Sequence, residues 1–257
     1  MIEAKNLTVF RGERPICRNI ELSVAEGSCH GVLGPNGSGK TSLLLGLRGL
    51  LPVSGSVNLA GVEPRCTPRT QLARLVAVVP QRMEFAFPYT VEEMVLLGRT
   101  PHRHPWEAFR DEDRRLVAEI LERLGLAELS RERVDAISGG ERRKVFLARA
   151  LAQKTRLLFL DEPIAGLDPK AQEELVRLIH ELRDQQGMTV VVVLHDVRLV
   201  ARLCDGVLAL KDGEAIWQGD PGEVMSGDSL EELFGVEWEL YQHPEQPPVW
   251  ISQGGPS

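Results

Sequence analysis

The stretch Gly34-Pro35-Asn36-Gly37-Ser38-Gly39-Lys40-Thr41 constrains this chain more than any other eight residues in it. It has the spacing GxxxxGK[ST], and it stands between a short apolar run, 29–33, and a segment of good helix formers, 41–50. A strand that turns through glycines into a helix leaves backbone N–H groups converging on one point, where an anion satisfies them. Glycines at 34, 37 and 39 let the main chain wrap close to phosphate oxygens. Lys40 then neutralises β/γ charge, and the Thr41 hydroxyl reaches Mg²⁺, with Ser42 next in the same helical turn. The alternative is a glycine-rich turn with a solvated lysine, and the strand-to-helix context disfavours it.

A second feature answers the first. Leu157-Leu158-Phe159-Leu160 is a continuous apolar run that ends in Asp161 and Glu162. Such a run reads as a central strand covered on both faces, and ligands of open α/β sheets bind at the carboxyl ends of such strands. Asp161 there would hold Mg²⁺, usually through water, while Glu162 would polarise the water that attacks the γ-phosphorus. Solvated acids at an ordinary strand-to-loop junction are the plainer reading. Beside the loop at 34–41 it becomes the lesser one.

Periodicity fills in the frame. Runs at 7–10, 20–24 and 29–33 read as strands, 41–50 as a helix, and 55–60 and 75–79 as strands again, the last stopped by Pro80. Thr90 and Glu93 have the spacing of a capping box. Leu116, Ile120, Leu121 and Leu124 predict one apolar helical stripe, with Gly125 as the stop. The segment 90–153 is therefore mainly helical. Asp168 and Pro169 then open a helix that runs to about Gly187, and 188–194 returns to a buried strand. The alternation implies a parallel α/β sheet interrupted by a helical insertion.

Composition excludes other classes. Thirty Lys and Arg against 37 Asp and Glu give a net charge of −7, which disfavours nonspecific nucleic-acid binding. The longest aliphatic stretch, 190–194, falls far short of the roughly 20 residues of a membrane helix. The four cysteines show no CxxC or Cys/His cluster, and the amino terminus lacks a secretory signal, so a cytoplasmic protein is expected.

Ile137-Ser138-Gly139-Gly140-Glu141-Arg142-Arg143, followed by Leu147-Ala148-Arg149-Ala150-Leu151, resembles the signature of ATP-binding-cassette (ABC) ATPases. Ile137 stands where the family usually has Leu, and Glu141 is a frequent variant. Ser138 with Glu141 also fits a capping box, which explains the spacing but not two bare glycines. The resemblance spans about residues 2–240. It implies an α/β P-loop NTPase (RecA-like) fold: a mainly parallel sheet core, an N-terminal antiparallel β subdomain and an inserted α-helical subdomain. The expected domain covers 1–240, with the core at about 1–84 and 155–240, the helical part at about 85–154, and 241–257 as a peripheral tail.

The family likeness also carries site roles. ATP and Mg²⁺ are the implied cofactors. Ser138, Gly139, Gly140 and Glu141 of one subunit would cover the γ-phosphate on the Gly34 loop of a second copy, so hydrolysis requires a head-to-tail homodimer. Gln81 looks like the glutamine that senses Mg²⁺ and attacking water. Asp168 resembles the loop that crosses the dimer interface, although helix capping explains it equally well. His195 resembles the histidine that contacts the γ-phosphate. Where the family usually stacks adenine on a Tyr, this chain has Arg11, with Phe10 adjacent.

The run 90–102, together with Leu233-Phe234-Gly235-Val236, resembles the ATPases of importers for iron-siderophore, haem and cobalamin. That likeness implies integral membrane permease subunits as partners and, indirectly, an extracytoplasmic substrate-binding protein. The chain would then be peripheral on the inner face of the cell membrane, with no nucleic-acid partner. Phe85, Phe87 and Tyr89 are candidate groove residues for a permease helix, or plain core. His102 and His104 read as surface histidines, because further metal ligands are lacking nearby. Two alternatives share the fold: a soluble ABC ATPase remodelling a protein or cofactor-assembly complex, and a nucleotide-gated module with negligible hydrolysis.

Overall fold

The computed structural model describes residues 1–81, 87–104, 106–243 and 246–253. In chain order the elements begin β1 (Ile2–Arg11), β2 (Arg14–Val24), β3 (Cys29–Leu33), α1 (Lys40–Leu47), β4 (Val53–Leu59), α2 (Arg69–Leu72) and β5 (Val76–Val79). Next come α3 (Val91–Leu96), α4 (Asp111–Arg123), α5 (Gly139–Ala152), β6 (Leu157–Asp161), α6 (Pro169–Gln186) and β7 (Thr189–Leu194). The carboxyl-terminal elements are α7 (Val197–Leu203), β8 (Gly206–Lys211), β9 (Glu214–Gly219), α8 (Pro221–Val224), α9 (Gly227–Phe234), β10 (Trp238–His243) and β11 (Gln246–Ser252).

Two compact units divide the chain, with a boundary inside α6: Met1–Cys66 with Ile179–Ser257, and Thr67–Leu178. In the first, β2, β1 and β4 form a three-stranded antiparallel sheet in which Ile2 lies opposite both Val24 and Leu59. Ile20, Leu22 and Val24 are buried on one face of β2, the period-two pattern of a half-covered strand, and Cys17 is buried beyond a break in register. The same unit holds β7, β3 and β8 side by side and parallel, with β9 antiparallel at the edge beside β8. Every residue of β3 and β7 is buried, as expected of strands covered on both faces. Leu33, at the carboxyl end of β3, delivers the chain into the glycine loop and α1.

The second unit pairs β5 with β6 in parallel, Val76 beside Leu157 and Val79 beside Leu160. Helix α5 packs against β5, and α3 and α4 pack against α5. Thr90 and Glu93 form the expected capping box at the start of α3. The buried stripe of α4 is Val117, Ile120 and Leu121 rather than the expected set with Leu116 and Leu124. Leu124 sits at the C-cap, and the helix starts at Asp111. Gly98 lets the chain after α3 lie directly on α5: a Cβ there would stand 2.2 Å from the Arg149 carbonyl oxygen.

The structure differs from the sequence reading, or adds to it, in three further places. The helix expected over 41–50 ends at Leu47 with Arg48 as its C-cap. The elements β8, β9 and α7 to α9 were not read from the sequence. The stretch 241–257, expected as a peripheral tail, contributes β11, which pairs antiparallel with β10 in a separate two-stranded sheet, Trp238 facing Ser252. The pair Pro247-Pro248 disguises that strand, since proline cannot donate to a ladder and is confined to edges.

Candidate functional site

The phosphate loop is built within the first unit. The α1 helix begins at Lys40, and its N-cap, Gly39 (φ 108°), makes no side-chain cap bond, so the first-turn N–H groups have no capping side chain. Only glycine fits at 39. A Cβ would stand 2.9 Å from the Cys17 sulfur, on a backbone that side-chain-bearing residues avoid. Burial pushes the Cys17 thiol up to about 11 against the opposing charge of Arg18, so it stays a neutral packing group beneath the loop. At Gly34 a Cβ would lie 2.1 Å from the Leu210 carbonyl oxygen.

Lys40 is 4% exposed, and its Nζ donates to the carbonyl oxygens of Gly34 and Pro35, each at 2.8 Å. His195, just past β7, places Nδ1 3.3 Å from the same Gly34 oxygen. The Ser38 hydroxyl is buried and has no partner among the described residues, a donor held ready inside the loop. Asn36 and Gly37 are exposed at the mouth, Ser42 is buried and Thr41 half-buried. These features fit a triphosphate: uncapped amides, a buried hydroxyl without a partner among the described residues, and a lysine that donates to two loop carbonyls.

The turn between β8 and β9 braces this loop, the Gly213 N–H donating to the Ser38 carbonyl oxygen at 3.0 Å. Sequence reasoning missed that brace. Its signal was present: Asp212-Gly213 between apolar runs is a tight-hairpin pair, and both residues have positive φ (49° and 83°). Arg11 is exposed opposite Arg14, whereas Phe10 is half-buried opposite Pro15.

The acids and the signature belong to the second unit. Asp161 is 6% exposed at the end of β6. Glu162 follows in the left-handed region (φ 51°), a costly conformation for a residue with a side chain. Gln81 Nε2 donates to Glu162 Oε2 at 2.7 Å, joining two expected site residues 81 positions apart. Asp168 caps α6, its Oδ1 accepting from the Ala171 N–H at 2.9 Å.

Ser138 caps α5. Its Oγ accepts from the Glu141 N–H at 3.3 Å and donates to Glu141 Oε2 at 2.6 Å, while the Ser138 N–H donates to the same oxygen at 2.8 Å. The side-chain bond, then the backbone bond, hold the Glu141 carboxyl below the usual carboxylate range. A Cβ on Gly139 would meet nothing within 4 Å, and one on Gly140 only Leu167 at 3.9 Å, so this helix start presents an open face. The capping box and the bare glycines are therefore both present.

The aromatic candidates divide. Phe85 lies outside the described residues. Phe87 is 63% exposed and packs edge-on against Tyr89, with ring centroids 6.0 Å apart. His102 spends Nε2 on the Gln153 carbonyl oxygen at 2.8 Å.

A parallel sheet that feeds a glycine loop into a helix, with two acids ending another parallel strand, defines a P-loop nucleoside-triphosphate hydrolase. The family model described as ABC transporter matches residues 17–165, more than half of the chain. The hemin import ATP-binding protein of Bordetella pertussis is 38% identical over 259 residues, covering 96% of this chain and 96% of that protein. The iron(3+)-hydroxamate import ATP-binding protein of Bacillus subtilis is 35% identical, covering 95% and 91%. Among solved structures, a metal-chelate type ABC transporter in an inward-facing conformation superposes with a TM-score of 0.86 at 25% identity, covering 98% of this chain and 97% of that one. A dimeric ATP-binding cassette bound to ADP and Pi gives 0.76 at 28% identity, covering 86% and 99%. The chain belongs to the ABC transporter ATPase family and is an ATP-binding, ATP-hydrolysing subunit. Among the described residues no helix is long and apolar enough to cross a membrane.

Proposed function

We propose that this subunit drives an importer for metal chelates of the iron-siderophore, haem or cobalamin type. The observation that carries this reading is the end-to-end likeness to hemin and iron-hydroxamate import ATP-binding proteins. Two copies, head to tail, clamp two ATP molecules, and closure rearranges permease subunits embedded in the membrane. An extracytoplasmic binding protein delivers the cargo.

The residues take the following roles. Amides from Gly34 to Thr41 surround the triphosphate, with the Ser38 hydroxyl as an added donor and Lys40 moving its Nζ from two carbonyl oxygens to phosphate. By the family likeness Thr41, Asp161 and Gln81 would be the residues that hold Mg²⁺, which would supply positive charge to offset that of the phosphates. Glu162, oriented by Gln81, accepts the proton of the attacking water. His195 meets the γ-phosphate, and Arg11 or Phe10 meets the base. Ser138, Gly139 and Gly140 cover the γ-phosphate of the second copy, with Glu141 holding their helix start and Asp168 at the shared interface.

The test is reconstitution with candidate permease subunits in lipid vesicles, measuring ATP-dependent uptake of haem, ferric siderophore and cobalamin. Uptake of one of them, lost on Lys40→Ala with ATP affinity down by about tenfold or more, is the expected result. ATP hydrolysis with no stable polytopic partner in membrane pull-downs would favour the remodelling ATPase instead.

A further inference from the structure

Glu162 is held in a left-handed backbone conformation, and such a residue persists only where its surroundings over-determine it. Two of its holds bear on the turn that follows it. Gln81 grips the side chain at 2.7 Å. The backbone closes a turn in which the Ala165 N–H donates to the Glu162 carbonyl oxygen at 3.4 Å, a long bond that leaves the turn dependent on something else.

That support comes from Arg143, whose Nη1 donates to the carbonyl oxygen of Ala165. Arg143 lies in the second turn of α5, five residues after the cap Ser138. A cation so near a helix N-terminus opposes the helix dipole, so its placement needs a compensating partner. Its neighbour Arg142 satisfies that need locally, on the Val134, Asp135 and Ile137 carbonyl oxygens of its own approach loop. Arg143 instead reaches the segment that follows Glu162. Its Nε is buried without a partner among the described residues, so the guanidinium is committed to that place at a cost. Burial lowers its proton affinity and the charge of Glu162 restores part of it, which places the two charges in one field.

We propose that Arg143 is a positioning residue for hydrolysis: it ties the signature helix α5 to the turn Glu162–Ala165, so that the placement of that helix sets the attitude of the Glu162 carboxylate. The inference rests on the reading of Glu162 as the base. A helix start that covers a nucleotide in the second copy then reports its engagement, through one side chain, to the base of its own chain. Hydrolysis is thereby matched to closure of the clamp.

The experiment uses the full chain assembled with its permease, in five forms: wild type, Arg143→Gln, Arg143→Lys, Glu162→Gln and the double variant Arg143→Gln with Glu162→Gln. Single-turnover cleavage of labelled ATP gives the chemical rate, and nucleotide titration gives affinity. Arg143→Gln should slow cleavage by about tenfold or more with ATP affinity changed less than about twofold, and Arg143→Lys should recover part of the rate. On the Glu162→Gln background the same change should cost nothing further, because Arg143 acts through Glu162. Unchanged cleavage in Arg143→Gln, an equal loss on both backgrounds, or a loss that follows ATP affinity or thermal stability would each overturn the proposal. Wild-type cleavage in Glu162→Gln alone would instead overturn the assignment of the base.

Discussion

Replacing Glu162 by Gln separates holding the nucleotide from splitting it. The substitution keeps the size of the side chain and an acceptor oxygen, so the 2.7 Å bond from Gln81 Nε2 survives in form. It changes from a charge-assisted bond to a neutral one, a loss of about 1 kcal/mol or less for a solvent-exposed bond. On the proposed role of Glu162 the reaction loses its base, and general-base catalysis contributes about 10²- to 10⁴-fold, or roughly 3–5 kcal/mol of barrier. The catalytic loss thus exceeds the structural one several-fold. Steady-state phosphate release should fall by about two orders of magnitude or more, while ATP affinity stays within about threefold and dimers accumulate in light scattering. Turnover within a few-fold of wild type, or a fall that tracks lost ATP affinity, would refute the role of Glu162.

Two further perturbations address the scaffold. Gly98→Ala puts a methyl 2.2 Å from the Arg149 carbonyl oxygen, and overpacking of this kind costs about 1–3 kcal/mol. Thermal scans should show a melting point lower by several degrees, with phosphate-loop chemistry otherwise intact; an unchanged melting point would show that the two segments separate freely. His30 is buried beside Gly206, and burial lowers its pKa from 6.5 to about 4 against the opposing charge of Asp205. The unfolded chain therefore takes up a proton that the folded one refuses, so stability is full above pH 6.5 and falls as pH drops toward 4, by on the order of 3 kcal/mol. His30→Phe should flatten that part of the denaturant-midpoint profile, and an unaltered slope would remove His30 as its cause.

Much of the site was legible because its parts are local. A phosphate loop, a helix cap and an acid at a strand end each depend on a few consecutive dihedral angles, so spacing alone announces them. Thus 34–41, the acids 161 and 162, and the boxes Thr90–Glu93 and Ser138–Glu141 could be read directly. The late strands β9 to β11 could not. In β9 no residue is fully buried, and β10 and β11 carry little signal apart from each other, because their order comes from pairing rather than from their own pattern.

From the sequence alone came the phosphate chemistry, the alternation of strands and helices, and the family likeness of the signature. Tertiary structure alone decided that Lys40 and His195 share the Gly34 carbonyl, that Gln81 grips Glu162, and that Arg143 reaches Ala165. Those partners stand between 6 and 161 residues apart. The longer of these meetings depend on strand register and helix packing, which many side chains determine jointly and no short spacing encodes.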